Sequence, residues 1–429
     1  MGNLRQPALL GGVPAFDKPY HLARPDLPPI EDLIEGIESL YDSRMLSNQG
    51  RFVRELEEKV AQKTNAKYCA VFCNGTIAIM CLLKALDIHG EIILPSFTFT
   101  ATVQALSWVG LEPRFVDVRK DNLTLAPESI KEALDDNVSA IFPVNIFGSY
   151  CNHEEIQTLA EERKLPLVYD SAQAFGTKYK GKPAGSFGLA EVFSFHATKI
   201  FHTMEGGAVT TNDLDLYKTL CKIRNFGFEE YLDCAGPGIN GKMNEISALM
   251  GLKLIDSLNE RIASRKTSIN LYKQSLEGIS GISFKAEVEH VENNNSYCCV
   301  IVDPQFFGIS SLELNYALAA ENIVTRCYFY PPVHKTKHYR AKYGNPPFPL
   351  PNTDWAASHV LCLPINSEMK EDDILRITDA IANCRKNLKA IKVALDGLVP
   401  ENVDSLGAAS FTDPHDRFIA SIENGVTLV

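Results

Sequence analysis

The sequence predicts an α/β protein, with a large domain on a mostly parallel sheet and a smaller C-terminal α/β domain. Three observations predict it. Seven short apolar runs alternate with helical segments between residues 68 and 212. Polar residues gather just after several of those runs, where an open α/β sheet carries its ligands. The pattern then changes after about Glu260, which starts a second unit.

The elements follow in order. Residues 1–28 are rich in Gly and Pro and read as an N-terminal arm. Helical spacing runs from Leu33 to Leu40 and from Phe52 to Lys63, where Phe52, Leu56, Val60 and Ala61 share one face. The seven strand candidates are YCAVFC (68–73), EIILPS (91–96), PRFVDV (113–118), AIFPVN (140–145), LPLVYD (165–170), EVFSFH (191–196) and GAVTTN (207–212). Strands buried on both faces read as near-continuous apolar runs, and these do. A charged helix from Leu258 to Leu276 leads into SYCCVIV (296–302), a helical stretch near 311–321 and a last helix from Glu371. The expected division is an arm at 1–28, a large domain at 29–260, a small domain at 261–395 and a tail at 396–429.

Composition narrows the function. The chain of 429 residues is 45% hydrophobic and 22% charged, so it has the means to build a core. Its 53 acidic and 42 basic residues give a net charge of −11, which argues against nucleic-acid or anionic-membrane partners. The tail from Asp396 holds six acidic residues and only Arg417 as a base. The eleven cysteines include no C-x-x-C and several lie in apolar runs, as buried free thiols would. No N-terminal apolar region resembles a signal peptide, and no apolar stretch approaches the ~18–20 residues of a spanning helix. The expected location is cytoplasmic.

Several motifs are decoys. Residues 236–242 (G-P-G-I-N-G-K) match two phosphate-loop patterns, but Met243 stands where a Walker loop needs Ser or Thr, and no convincing strand precedes them. Residues 176–182 (G-T-K-Y-K-G-K) fit the same spacing and run into Pro183. His334 and His338 have the i, i+4 spacing of metal ligands, yet no Glu follows His334 and two prolines precede the pair, so no metal is expected. A G-x-S-x-G elbow is absent.

What remains is Asn74-Gly75-Thr76, Asp170 with Gln173, and Ser194 with Lys199. Free N–H groups and a hydroxyl at a helix start favour an anion. A carboxylate at the end of an apolar strand wants a cationic partner. A lysine near a buried strand end can serve as an amine nucleophile. Singly, each could be a helix cap or a surface side chain. Together they match the needs of pyridoxal phosphate: an amine, an acid partner for the ring nitrogen and a phosphate cradle.

With these residues in hand, the chain resembles the DegT/DnrJ/StrS family of sugar-nucleotide aminotransferases, which have the fold of type I pyridoxal-phosphate enzymes. The matching segments are CNGTIAI (73–79), GEIILPSFTFTATVQAL (90–106), VYDSAQAFGTKYKGKPAGSFG (168–188), VFSFHATKIFHTMEGGAVTT (192–211) and GINGKMNEISALMGL (238–252). The resemblance covers roughly 45–395. It implies that Lys199 forms the internal aldimine and shuttles the proton, and that Asp170 pairs with the pyridine nitrogen. Phe99 would stack on one ring face and Gln173 would lie on the other or near the ring hydroxyl. Thr76, the backbone at Ile77, and Ser194 would hold the phosphate. Asn240 would reach the phosphate from the neighbouring subunit, which requires a homodimer. Where many members read N-x-R-M, this chain has Asn240-Gly241-Lys242-Met243, and lysine lacks the bidentate fork.

The activity so implied is transfer of an amino group from glutamate, which leaves as 2-oxoglutarate, to a nucleotide-linked keto-sugar. C4 of a dTDP-4-keto-6-deoxyhexose is the expected acceptor. C3 action, or a UDP-linked sugar, is the alternative within the family. A non-catalytic regulator on the same fold is the alternative of another class, and intact Lys199, Asp170 and Ser194 argue against it.

Overall fold

The computed structural model describes residues 5–230 and 233–399. Most of the expected tail (396–429) therefore lies outside the described residues.

All seven strand candidates form strands: Tyr68–Phe72, Glu91–Pro95, Glu112–Val116, Val138–Ile141, Val168–Asp170, Ala190–Ser194 and Gly207–Thr211. Two hydrogen-bonded sets run 112–116, 91–95, 138–141 and 168–170, 190–194, 207–211, 68–72. Parallel bridges Ile141 to Leu167 and Val144 to Asp170 join the two sets edge to edge. The sheet is parallel except for 207–211, which runs against both neighbours. The reason is the connection. A parallel return needs a crossover helix, and residues 195–206 fold back without an α-helix.

Helices Gly75–Ala85, Thr100–Val109, His153–Arg163 and Leu214–Ile223 follow strands as the alternation requires. Helix Arg51–Thr64 buries Phe52, Leu56 and Val60, the expected face. The carboxyl ends of 68–72, 91–95, 168–170 and 190–194 thus present their loops on one side.

A second apolar core lies toward the C-terminus. Strands Ile282–Phe284, Cys298–Val302 and Val360–Leu363 form an antiparallel sheet. Helices Ser311–Ala320 and Glu371–Lys386 contribute Leu314, Leu318, Ile377 and Ile381 to the core beside it. Helix Leu258–Ser275 serves both cores, with Leu258 in the first and Tyr272 in the second.

The arm is not a free segment. Leu9 is buried in the second core. Buried Glu321 accepts from the Arg5 guanidinium, from the Ala8 N–H at 2.7 Å and from the Ala15 N–H at 2.8 Å. Arg265 grips Asp26 at 3.0 Å. These ties carry His21–Ala23 to the edge of the main cavity.

The decoys resolve into ordinary structure. Lys178–Tyr179 and Lys182–Pro183 pair as a short hairpin. His334 is buried, with Nδ1 2.8 Å from the Ser96 hydroxyl and Nε2 3.3 Å from Asp354. All eleven cysteines are free thiols. Among the described residues no helix is long and apolar enough to cross a membrane.

Candidate active site

The strand ends converge on one cavity of about 510 Å³. Asp170, the last residue of its strand, is 3% exposed. Its Oδ2 accepts from Thr102 Oγ1 at 2.7 Å and its Oδ1 from the Ala172 N–H at 3.0 Å. Burial pushes its pKa up, and the two donors and nearby Lys199 pull it back only in part.

Lys199 follows strand 190–194 on a turn closed by its N–H to the His196 carbonyl. Its Nζ lies in the same cavity and donates to Tyr297 Oη at 3.0 Å. Burial lowers its pKa, against the opposing pull of Tyr328 and Asp170. A lowered pKa yields more free amine near neutrality, the form a nucleophile needs.

Between these groups and the helix at 75–85 lies a cradle that admits no extra carbon. A Cβ on Gly75 would sit 3.1 Å from Ser194 Cβ, and one on Gly207 would meet the Asn74 backbone at 2.7 Å. The glycines let the helix start, Ser194 and strand 207–211 close on one another. Asn74 caps that helix, its Oδ1 accepting from the Ile77 N–H at 2.9 Å. The expectation that the Ile77 backbone holds a phosphate meets a competing bond in this structure. The Ile77 amide donates to the Asn74 cap, and Gly75 and Thr76 line the cavity while Ile77 does not.

The other expected residues fall as follows. Phe99 lines the cavity and is 57% exposed, so one ring face is open. Gln173 lines it too, with Oε1 held by the Phe147 N–H at 2.6 Å. Asn240 is exposed, pairs through its backbone with Asn225 and does not line this chain's own cavity. Lys242 turns to Asn225 Oδ1 at 2.9 Å and lies over the Phe226 ring.

Among the contributors that sequence reading missed are Thr102, Tyr297, Arg326 and His21, all of which line the cavity. A polar Ser-Tyr pair just before the apolar run CCVIV was the available signal for Tyr297. Thr102 sat unremarked within a threonine-rich segment, and nothing local marked His21 or Arg326.

The donor set suits pyridoxal phosphate. A primary amine and a buried carboxylate share one cavity, and the hydroxyls of Thr76 and Ser194 stand beside a helix start that no Cβ obstructs.

Comparison with known proteins gives the following. The family model described as "DegT/DnrJ/EryC1/StrS aminotransferase family" matches residues 30–382. The chain is 33% identical over 363 residues to dTDP-4-amino-4,6-dideoxy-D-glucose transaminase of Escherichia coli, covering 84% of this chain and 98% of that protein. It is 30% identical to dTDP-3-amino-3,6-dideoxy-alpha-D-galactopyranose transaminase of Aneurinibacillus thermoaerophilus, over 77% of this chain and 90% of that one. The crystal structure of DesI in the presence of its TDP-sugar product superposes with a TM-score of 0.87 at 37% identity, covering 91% of this chain and 99% of that one.

Proposed function

The chain belongs to the DegT/DnrJ/EryC1/StrS aminotransferase family, and from that premise we propose that it moves the amino group of glutamate to C4 of a dTDP-4-keto-6-deoxyhexose, using pyridoxal phosphate. The observation that carries the chemistry is the meeting of Lys199, Asp170, Ser194 and the Gly75–Thr76 helix start in one cavity. The choice of C4 and of dTDP rests on the 33% identical Escherichia coli relative and on DesI. The Aneurinibacillus relative, whose name places the amine at C3, supports C3 action as the second reading.

When bound, pyridoxal phosphate supplies the aldehyde that accepts and yields the amino group, and the ring that withdraws electrons. The chain's residues do the rest. Asp170 faces the cavity with two neutral donors and, among the described residues, no cation in contact, so it would hold a proton on the cofactor's ring nitrogen. Lys199 Nζ moves a proton between substrate carbon and cofactor, and its depressed pKa suits it to take one. Tyr297 fixes the position of Nζ. The Thr76 and Ser194 hydroxyls and the amides of Gly75 and Thr76 bind the phosphate at the helix start. Phe99 would cover one ring face, and Gln173 would lie on the other or near the ring hydroxyl. Tyr328 and Phe329 line the cavity wall.

The proposal extends to a homodimer in which Asn240 serves the partner's cavity. Exposed Ile34, Tyr41 and Leu46 supply an apolar face that a second copy would cover. The division into 29–260 and 261–395 belongs to the same reading, as does a cytoplasmic location. The test is incubation with glutamate and a panel of dTDP-, UDP- and GDP-linked 3-keto- and 4-keto-sugars. A C4 amine from the dTDP 4-keto substrate, located by NMR, is expected. A C3 amine, or no amine from any substrate, would sink the proposal.

A further inference from the structure

Behind the active site lies a second cavity of about 430 Å³. Helix Leu258–Ser275, strand Ile282–Phe284 and the segment after it form its walls. Four lysines line it against two glutamates. The glutamates are spent: Glu287 pairs with Lys273 at 2.7 Å and Glu292 with Lys178 at 3.0 Å. Lys266 and Lys285 form no contact ion pair among the described residues; Glu287, already bonded to Lys273, is the carboxylate that attracts both from a distance. Lys285 is half-buried, and burial holds its ammonium below the usual lysine pKa. Independently, Ser149 lines the same cavity, is 1% exposed, and its Oγ has no hydrogen-bond partner. A buried hydroxyl without a partner is costly, and so is a desolvated ammonium with no anion in direct contact.

We propose that this cavity is a second binding site, for a small molecule that carries a phosphate group, held by Lys266, Lys285 and the Ser149 hydroxyl. Two ammonium groups and a hydroxyl match the charge and the acceptors of a phosphate. The volume exceeds a lone phosphate and lies in the range of small-ligand sites, so the ligand has a body beyond its anionic group. Tyr297 lines both cavities, so a ligand here touches the ring that holds Lys199.

The test is calorimetric titration of inorganic pyrophosphate into the cofactor-loaded protein at low salt, and it needs no transamination assay. Saturable binding is expected, weakened about tenfold in both Lys285→Met and Lys266→Met and less in Ser149→Ala. Lys266 is exposed on its helix, so its variant folds even if Lys285→Met does not. Inorganic phosphate run in parallel separates sources: weaker binding than pyrophosphate indicates a larger phosphorylated molecule. Absence of saturable heat would overturn the proposal. So would an unchanged affinity in Lys266→Met, because the probe would then be seated in the active site.

Discussion

Lys199 Nζ donates to Tyr297 Oη across 3.0 Å, joining the turn after strand 190–194 to a residue 98 positions later in the chain. Burial lowers the Lys199 pKa against Tyr328 and Asp170, and a hydroxyl that accepts from the ammonium works on the same side as those two. Tyr297→Phe removes the acceptor but keeps the ring, which packs edge-on against Phe147 at 5.6 Å. The Lys199 pKa should fall further. That shift is read by titrating the Lys199 amine in the cofactor-free protein, and kcat of the loaded enzyme drops about tenfold through lost positioning. A titration identical to wild type would remove Tyr297 from this role.

Lys199 itself admits a stricter test. Lys199→Ala deletes both the covalent attachment point and the proton carrier, so activity should fall by at least about a thousandfold. The visible absorbance that covalent attachment gives should vanish as well. A coloured, active variant would show that another amine does the work.

Thr102 supports Asp170 from the helix that follows Phe99. Thr102→Val removes the 2.7 Å donor to Oδ2 and leaves a buried carboxylate one partner short. Asp170 is already pushed up by burial, and this loss raises its pKa further. Cofactor affinity should weaken about tenfold, with Thr102→Ser recovering most of it. Equal affinity in the valine and serine variants would contradict the argument.

Much of this site was legible because the strand ends are local features. Asn74, Asp170, Ser194 and Lys199 each follow an apolar run, so period and polarity were enough to find them. Tyr297 and Arg326 lie far along the chain from Lys199 and meet the site only through tertiary packing, which no local period encodes. The fate of the Ile77 amide was hidden for another reason. Whether Asn74 caps its helix or leaves that N–H open depends on a side-chain rotamer. The antiparallel run of 207–211 did have a sign: the stretch 195–206 lacks the apolar spacing of a crossover helix.

Glu191 gives a prediction about stability. It is fully buried, accepting from Ser171 Oγ at 2.5 Å and from the Gly185 and Phe187 N–H groups at 2.6 and 3.0 Å. Burial outweighs these donors and pushes its pKa up to about 7. The folded pKa lies above the unfolded one, so the folded state holds the proton more tightly. Stability from this group is present below the unfolded pKa and lost as pH rises through about 7. The change is on the order of 3 kcal/mol. Glu191→Gln cannot ionise, so the wild type should lose ground to it between pH 5 and pH 8 in thermal melts. A constant difference between the two proteins across that range would refute the assignment.

Asn240 carries the last prediction, because its place outside its own cavity is the feature that a shared site would require. Asn240→Ala alone should weaken cofactor retention, since a hydrogen-bond donor to the phosphate is lost. That result would not say which subunit's phosphate it serves. Mixing does. In a hybrid of Lys199→Ala with Asn240→Ala, one cavity receives Lys199 from one chain and Asn240 from the other, and is intact. The second cavity lacks both. Statistical exchange makes about half the dimers hybrid, so about a quarter of wild-type activity should return after co-refolding two poorly active proteins. If Asn240 acts on its own chain, every cavity in the mixture keeps one lesion and no activity returns.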